Sequence, residues 1–562
     1  MDVESREWTK FVMAGFYDGE TYSYYETAKD FIKFLIKNAE AIPQDIFAHN
    51  GGKFDFAFFY SELLKNKSIR VKSIIPRGSS VLSVEFEIKK KTFYFRDSLA
   101  LLPFSLKKLT EAFDVETKKG EWDHSKTFGI TSELIDYNES DCKGLHQVLT
   151  KFWSQPVVKK GGQAYTIASQ ALKVFQTFMD EDHERCSKTI DSFVRGAYFG
   201  GRTEIFKPIH EGPEKIKEYD INSMYPYVMK EMEYPVGKGI FTFREEVGKL
   251  GIYEAEVDCP KNLYIPVLGI LHNNKYCFPS GKFRGRWTSS ELDFARTKGY
   301  KVKIIRGVYW EDSKKIFAGY VDTLYKMRQE AIKGSVQDIV CKLLLNSLYG
   351  RFALNTDREN LTFNLEDNVK EYETFEIEGE SIELFKKEIK LDSWTYSPWS
   401  VFVTSYARIH LYGYFDDSVF YCDTDSIFTT REIESSKDLG GLKFENEYET
   451  AVFLLPKTYS LQGQKRKIAM KGFERKLMDQ ISHNDFINFF EGELKMLSVK
   501  RGPKFCSFKM AIRQKKFVTM DEGQIKEIKS KYDKREIIRV NNKWDTRPIE
   551  VNNGNSNNKN AA

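Results

Sequence analysis

Two acidic strings far apart in the chain constrain its fold more than any other feature, because neither has a use unless folding brings them together. The first is Asp220-Ile221-Asn222-Ser223-Met224-Tyr225-Pro226 and the second is Tyr421-Cys422-Asp423-Thr424-Asp425-Ser426. Glu218 to Ile221 reads as the end of a strand, and Pro226 suits the first turn of a helix, so Asp220 falls where strand meets turn. Asp423 and Asp425 are two apart and share one side of an extended segment. Val419 and Phe420 lead in and Ile427 and Phe428 lead out, as in a buried hairpin. Between the acidic strings lies Lys342-Leu343-Leu344-Leu345-Asn346-Ser347-Leu348-Tyr349-Gly350. There Lys342, Asn346 and Gly350 recur every fourth residue and occupy one helix face.

Each string alone has a dull reading. An isolated Asp-Thr-Asp-Ser is more often a polar turn than a metal site. Ordered together, with a cationic helix between them, they make the set needed to join a nucleoside triphosphate to a growing strand with two metal ions. Magnesium takes hard oxygen ligands and usually only one or two protein carboxylates beside substrate phosphates. Backbone N–H groups in the turn after Asp220 can hold phosphate oxygens.

At these residues the chain resembles the family B DNA polymerases, closest to the compact protein-primed branch of small phages and linear plasmids. The resemblance runs over nearly the whole sequence. It implies that Asp220 and Asp425 are the principal metal ligands, with Asp423 assisting. It implies that Tyr225 stacks under the sugar and excludes a 2′-hydroxyl. Lys342 and Arg328 would meet the incoming triphosphate, Asn346 would share that nucleotide-binding face, and Tyr349 and Gly350 would let the nascent base pair lie close. Tyr198-Phe199-Gly200-Gly201-Arg202 resembles the link that grips the template strand. Thr404 to Arg408 resembles a template-contacting helix, Lys457-Thr458-Tyr459 a motif that steadies the primer end, and Lys471-Gly472 a backbone contact. Phosphate contacts of this kind are blind to sequence.

A second acidic set precedes the first. Asp2-Val3-Glu4 puts two carboxylates on one face of a strand. Asn50-Gly51-Gly52-Lys53-Phe54-Asp55 adds a third, and Tyr137-Asn138-Glu139-Ser140-Asp141 a fourth, with Tyr137 one helical turn before it. The set resembles the family's 3′–5′ proofreading exonuclease. By that resemblance Asp2, Glu4, Asp55 and Asp141 bind two metals, Tyr137 orients a water, and Lys119 is a catalytic lysine. Asn50, Phe54, Ser98 and Leu99 would hold the frayed single strand, with aromatic stacking as a sequence-tolerant grip. Family members carry a full strand before the first Asp-x-Glu, whereas here that acid is at position 2. Either the sequence begins late or this strand is short; a chain terminus tends to fray, so the exonuclease's strength is the open point of the resemblance.

The implied fold class is a multidomain α+β right hand of palm, fingers and thumb, preceded by an RNase H-like exonuclease domain. The expected division is exonuclease 1–161, palm 162–233, a terminal-protein-contacting insert 234–312 and fingers 313–353. A second insert at 354–396 would serve processivity and strand displacement, followed by palm 397–473, thumb 474–545 and a disordered tail 546–562. Local patterns agree. The runs from Val81 to Ile88 and from Thr92 to Arg96 alternate as hairpin strands around a lysine turn. Helical stretches follow at Leu106 to Phe113 and Ser132 to Leu149. Ser313 is expected to open a helix, and Ser335 with Asp338 forms a capping-box signature for the next.

Bulk properties exclude less than they permit. The formal net charge is +5, which suits a basic groove offset by acidic centres and equally an ordinary enzyme. Basic residues cluster at Lys465-Arg466-Lys467, Lys471, Arg475 and Lys476. Seven cysteines without a Cys-x-x-Cys pair argue against structural zinc or a disulfide framework and fit a reducing compartment. No apolar run is long enough to span a bilayer. The expectation is a monomeric, cytoplasmic polymerase using magnesium or manganese, two ions per site, with deoxynucleotides, primer–template and single-stranded DNA, and a terminal protein as partners. The competing readings are a polymerase lacking proofreading or protein priming, and a non-catalytic DNA-binding replication scaffold. A reverse transcriptase fits poorly, because Tyr421 to Ser426 departs from that class's pattern.

Overall fold

The computed structural model describes residues 1–124, 127–179, 186–354, 360–363, 369–377, 380–387, 394–523, 525–529 and 531–552. The N-terminal region opens with strands Asp2–Arg6, Lys10–Tyr17 and Tyr22–Tyr25 in an antiparallel sheet. Pairing begins at Asp2 opposite Gly15. The expected fraying is not found: the Met1 ammonium donates to Phe47 O (2.9 Å), and Val3 N–H donates to Asp55 Oδ1 (2.8 Å). These two bonds hold the strand at Met1 and Val3, on either side of Asp2. Helix Ser132–Trp153 packs across the Lys10–Tyr17 strand, its first turn closed by the Thr131 hydroxyl.

The lysine-turn hairpin is strands Ser80–Ile88 and Lys91–Asp97, and Lys89 and Lys90 both take positive φ, 50° and 66°. Two successive left-handed residues match the twist of a two-residue hairpin. The hairpin belongs to a seven-stranded sheet with an unexpected origin at one edge. Strands Val369–Ile377, Glu380–Lys387 and Leu361–Thr362, from the second expected insert, add to strand Ile69–Arg77 of the N-terminal region. Leu361, Leu384 and Phe385 are buried there, each side chain contributing about 1.5–3 kcal/mol. Phe508, Ile512 and Phe517 join the same core from near the C-terminus, with both phenylalanines 5.2 Å from Tyr60.

The central sheet has the order Leu442–Tyr448, Ile216–Ile221, Ser426–Thr429, Val419–Asp423, Thr203–Ile205. Both acidic strings therefore sit on adjacent strands. Residues 234–312 contribute Ile240–Thr242, Lys301–Trp310, Leu250–Cys259 and Ser280–Thr288 to a second five-stranded sheet. Its fifth strand corrects the expected tail. Lys543–Pro548 is a strand, and Glu550–Asn552 pairs in parallel with residues 280–282. Order thus continues past 546 because a sheet edge was available; residues 553–562 lie outside the described residues.

The helical hairpin is Ala318–Glu330 and Val336–Ser347. Ser313 opens no helix; it lies in strand Asp312–Lys314, paired with Tyr234–Val236. Ser335 is the N-cap residue of the second helix, but its hydroxyl makes no cap bond. Asp338 instead accepts from Gly334 N–H (2.9 Å) and from Arg328 Nε (3.0 Å), so its carboxylate links the turn to the preceding helix. The largest core cluster ties these helices to Ser397–Tyr412 and to the central sheet through Phe317, Phe352 and Trp399.

Candidate active sites

The first centre is built by register. Asp220 pairs with Ser426, Asp423 pairs with Ser426 across the other hairpin arm, and Ile221 N–H donates to Asp425 O (2.7 Å). Thr424 holds the turn at φ 65°, and its N–H donates to Arg202 O (2.7 Å). Ser223, at φ 49°, makes the matching bend after Asp220. Non-glycine residues in this left-handed region cost about 1–3 kcal/mol and persist where the surroundings hold them. Asp423 accepts from Thr203 Oγ1 (3.3 Å) and pairs with Lys457 Nζ (2.5 Å). Lys457 N–H in turn donates to Tyr421 OH (2.8 Å), so the Lys457–Tyr459 segment is fastened to the acidic turn.

The helical hairpin meets the bend that follows Asp220. Arg328 Nη1 reaches Ser223 Oγ (3.3 Å), joining the two elements. Lys342 and Asn346 are exposed on the Val336–Ser347 helix, and Gly350 is exposed with nothing within 4 Å of a Cβ placed there. Tyr225 stacks on Tyr349 with ring centroids 4.4 Å apart at 19°. The two aromatics expected to frame the nucleotide thus close on each other.

Several expected DNA contacts are interior. Arg202 is 1% exposed, bound to Glu204 and lying 3.8 Å over the Phe278 ring. Arg408 is buried on Glu291 and donates to Phe199 O (2.7 Å) and Gly200 O (3.0 Å). Thr404 donates to Val401 O (3.1 Å) inside its helix, and Tyr459 packs among Tyr421, Phe428 and Phe453. Burial with matched partners makes Arg202, Arg408 and Thr404 interior supports rather than surfaces for DNA, while Tyr459 stays 8% exposed in its aromatic cluster. Gly201 is required where it stands: a Cβ would lie 2.7 Å from Thr424 Cγ2. Tyr198 is half-buried, whereas Gly200 and Lys471 are exposed.

The second centre gathers Asp2, Glu4, Asp55 and Asp141 from one strand, a short 3-10 turn and a helix. Asn138 Nδ2 donates to Asp2 Oδ2 (3.0 Å) and Glu4 Oε1 (3.4 Å), a bridge that no local pattern signals. Lys119 pairs with Asp141 and donates to Tyr137 OH (2.9 Å), so the expected catalytic lysine and tyrosine meet. Asn50 takes φ 66° and its N–H donates to Asp97 Oδ1 (2.9 Å), while Leu99 is half-buried. Ser98 is 1% exposed with its hydroxyl shared between Ala48 O and His49, too deep to touch a strand. Phe54 contacts Trp8, Phe58 and Phe505 at the rim. A cavity of about 640 Å³ beside Glu4 is lined by Trp8, Trp122, His124 and Phe128. Trp8 and Phe128 are 52% and 75% exposed, an aromatic surface that only their later position beside the acids makes legible.

The family model for DNA polymerase type B, organellar and viral, matches residues 36–129 and 123–438. The chain belongs to this family. A probable DNA polymerase of Neurospora intermedia is 27% identical over 77% of this chain and 53% of the relative. A DNA-directed DNA polymerase of Enterobacteria phage PRD1 is 32% identical over 61% of this chain and 58% of the relative. The chain thus spans little more than half the length of these relatives. The Bacillus phage phi29 DNA polymerase is 27% identical over 82% of this chain and 84% of that protein. A phi29 polymerase structure with primer-template DNA and incoming nucleotide shares the fold at TM-score 0.72 and 23% identity, covering 90% of this chain and 95% of that one. The protein has the family B polymerase fold with an N-terminal exonuclease-type domain.

Type B polymerases imply divalent metal ions, and the acids of this family member fit them. Burial, then neighbouring Asp425, pushes Asp220 up to about 7, and burial raises Asp425. In the second centre burial and the Asp2 charge push Glu4 up to about 10 and Asp141 up to about 7. Asp141 Oδ1 is buried without a hydrogen-bond partner among the described residues. Among those residues no three acids, histidines or cysteines converge into a finished cage. Carboxylates crowded this way resist ionising together, and a divalent cation relieves them.

A pH dependence follows. Folded-state values near 7 lie above the ordinary carboxylate range near 4. Between them the folded protein binds more protons than the unfolded one, so metal-free stability falls as pH rises from about 4 to 7. Thermal melting in chelator should show that decline, and magnesium should reverse it at pH 7.5 but not at pH 5. A metal-free Tm that rises across this window would contradict the crowding.

Proposed function

We propose that this chain is a template-directed DNA polymerase that adds deoxynucleotides to a 3′-hydroxyl, degrades mispaired 3′ ends, and initiates on a terminal protein. The observation that carries the reading is Asp220 in register beside the Asp423–Asp425 turn, with Arg328 tying the Lys342-bearing helical hairpin to the Ser223 bend that follows Asp220. Family membership supports the polymerase part. Asp220 and Asp425 would hold divalent cations at the synthetic centre, and Asp2, Glu4, Asp55 and Asp141 at the nucleolytic one. When bound, these ions neutralise phosphate charge and make a hydroxyl or water more acidic.

The chain's own residues do the positioning. Lys342 and Arg328 attract the triphosphate, and their place on the hairpin lets its movement carry the nucleotide toward Asp220. Tyr225 sets the sugar's position once its stack on Tyr349 gives way. Lys457 holds Asp423 at the primer side. In the nucleolytic centre Lys119 and Tyr137 orient a water against the terminal phosphate, and Trp8, Phe54 and Phe128 offer flat faces to unpaired bases. Residues 234–312 are proposed to contact a terminal protein. The 354–396 segment is proposed to enclose DNA, a role supported by strand Leu361–Thr362, which joins its hairpin to strand Ile69–Arg77 of the N-terminal region.

The test is primer extension on circular single-stranded DNA with magnesium, with and without a candidate terminal protein. Template-copied extension is expected, and no incorporation under any primer would favour a non-catalytic scaffold. A second expectation concerns sugar choice. Tyr225→Val removes the ring beneath the sugar and should raise ribonucleotide use relative to deoxynucleotide by about 10²-fold. Single-nucleotide kinetics with both sugars check it, and unchanged discrimination would reject the gate.

A further inference from the structure

The strand beside the acidic turn, Thr203–Ile205, is held from its far side by residues more than three hundred positions later. Glu204 is 1% exposed and lies in register with Cys422. Its carboxylate is gripped by Arg202 (2.5 Å) and Arg535 (3.2 Å), both buried. Arg535 also donates to Thr546 Oγ1 (2.7 Å) and Tyr264 O (2.8 Å). Around it, Lys534 Nζ donates to Thr203 O (3.1 Å), Ile205 N–H donates to Tyr532 OH (3.1 Å), and Thr546 Oγ1 donates to Phe206 O (2.7 Å). Every residue from 203 to 206 is therefore contacted by the hairpin Arg535–Val540 and Lys543–Pro548 or the two residues shortly before it.

What that strand carries decides the consequence. Thr203 Oγ1 donates to Asp423 Oδ1, and Arg202 O accepts the Thr424 N–H that fixes the left-handed turn. The Arg202 guanidinium, anchored on Glu204, sets where its own carbonyl lies. A buried charge pair with one partner removed relaxes its neighbours rather than leaving them in place. An edge strand without its covering partner also loses its fixed register.

Resting on the polymerase reading, we propose that the C-terminal hairpin is a latch that sets the acidic turn, with Arg535 as the positioning residue acting through Glu204. At 1% exposed, Arg535 is too deep to reach a nucleotide or primer. Its effect belongs to the geometry of Asp423 and Asp425.

The test measures amide hydrogen exchange of the metal-free protein over residues 419–429, together with single-nucleotide addition kinetics. Arg535→Met should speed exchange there about tenfold while strand Ser80–Ile88 stays as protected as in the wild type. It should lower kcat about tenfold with KM for the nucleotide within about twofold, as expected for a displaced catalytic group. Arg535→Lys, which keeps the charge, should recover part of both. Wild-type exchange and kcat in Arg535→Met would overturn the latch. If that variant does not fold, Tyr532→Phe decides: it deletes one hydroxyl and should shift both readouts in the same direction by about threefold, whereas no shift overturns the proposal. Wild-type protein that adds no nucleotide would overturn the polymerase reading itself, while faster exchange at the turn would still uphold the mechanical link.

Discussion

Asp425→Ala should lower nucleotide addition by more than about 10³-fold and leave degradation of single-stranded DNA within about twofold of the wild type. The backbone of the turn does not depend on this side chain. Ile221 N–H bonds to the Asp425 carbonyl, Thr424 N–H to Arg202 O, and the flanking strands stay paired. What disappears is the carboxylate that raises the neighbouring Asp220. The same variant should therefore melt higher than the wild type in chelator at pH 7.5, because one of two crowded charges is gone. Lost activity with gained metal-free stability distinguishes a ligand from a fold-supporting residue. A variant that lost both would mark Asp425 as structural.

Asp141→Ala should do the reverse, abolishing degradation of a labelled single strand to below about 10⁻³ of the wild-type rate while primer extension continues. Asp141 lies 3% exposed on helix Ser132–Trp153, facing Lys119. Removing it leaves the Lys119 ammonium with Tyr137 OH as its remaining hydrogen-bond partner among the described residues, and relieves the repulsion that Asp2 exerts on Asp141. Lys119→Ala should then weaken degradation less than Asp141→Ala, since the carboxylates remain. The two acidic centres share no side chain, so their losses should separate. Gel assays of extension and degradation on one preparation decide it, and parallel loss of both activities would rule out independent centres.

Much of this was legible because chemistry restricts residue type. Carboxylates at 220, 423 and 425 and at 2, 4, 55 and 141 have few substitutes, and their strand or turn setting showed in the flanking apolar residues. The Lys89-Lys90 turn and the helix from Ser132 were readable from local periodicity. What misled was arginine. Arg202 and Arg408 stand in motifs that suggest DNA contact, yet a guanidinium satisfies buried carbonyls and carboxylates equally well, and only the positions of Glu204 and Glu291 reveal which. Nonlocal pairing was also invisible. Leu361 opposite Ile74 and Glu550 opposite Ser280 join residues whose own patterns fit many sheets. The Ser335 cap failed for a related reason, since Asp338 was drawn to Arg328 of the neighbouring helix. Trp8 and Phe128 carried no signal until the turn after the first strand and the segment before helix Ser132–Trp153 came together beside Glu4.

The most direct test is the pre-steady-state rate of adding one deoxynucleotide to a primed template by Asp220→Ala, Asp425→Ala and the double variant, in magnesium. If the two carboxylates act on shared ions, both single variants and the double variant should fall to the same residual rate, because either loss disables the unit. Near-wild-type addition by either single variant, or losses that multiply in the double, would contradict a joint centre.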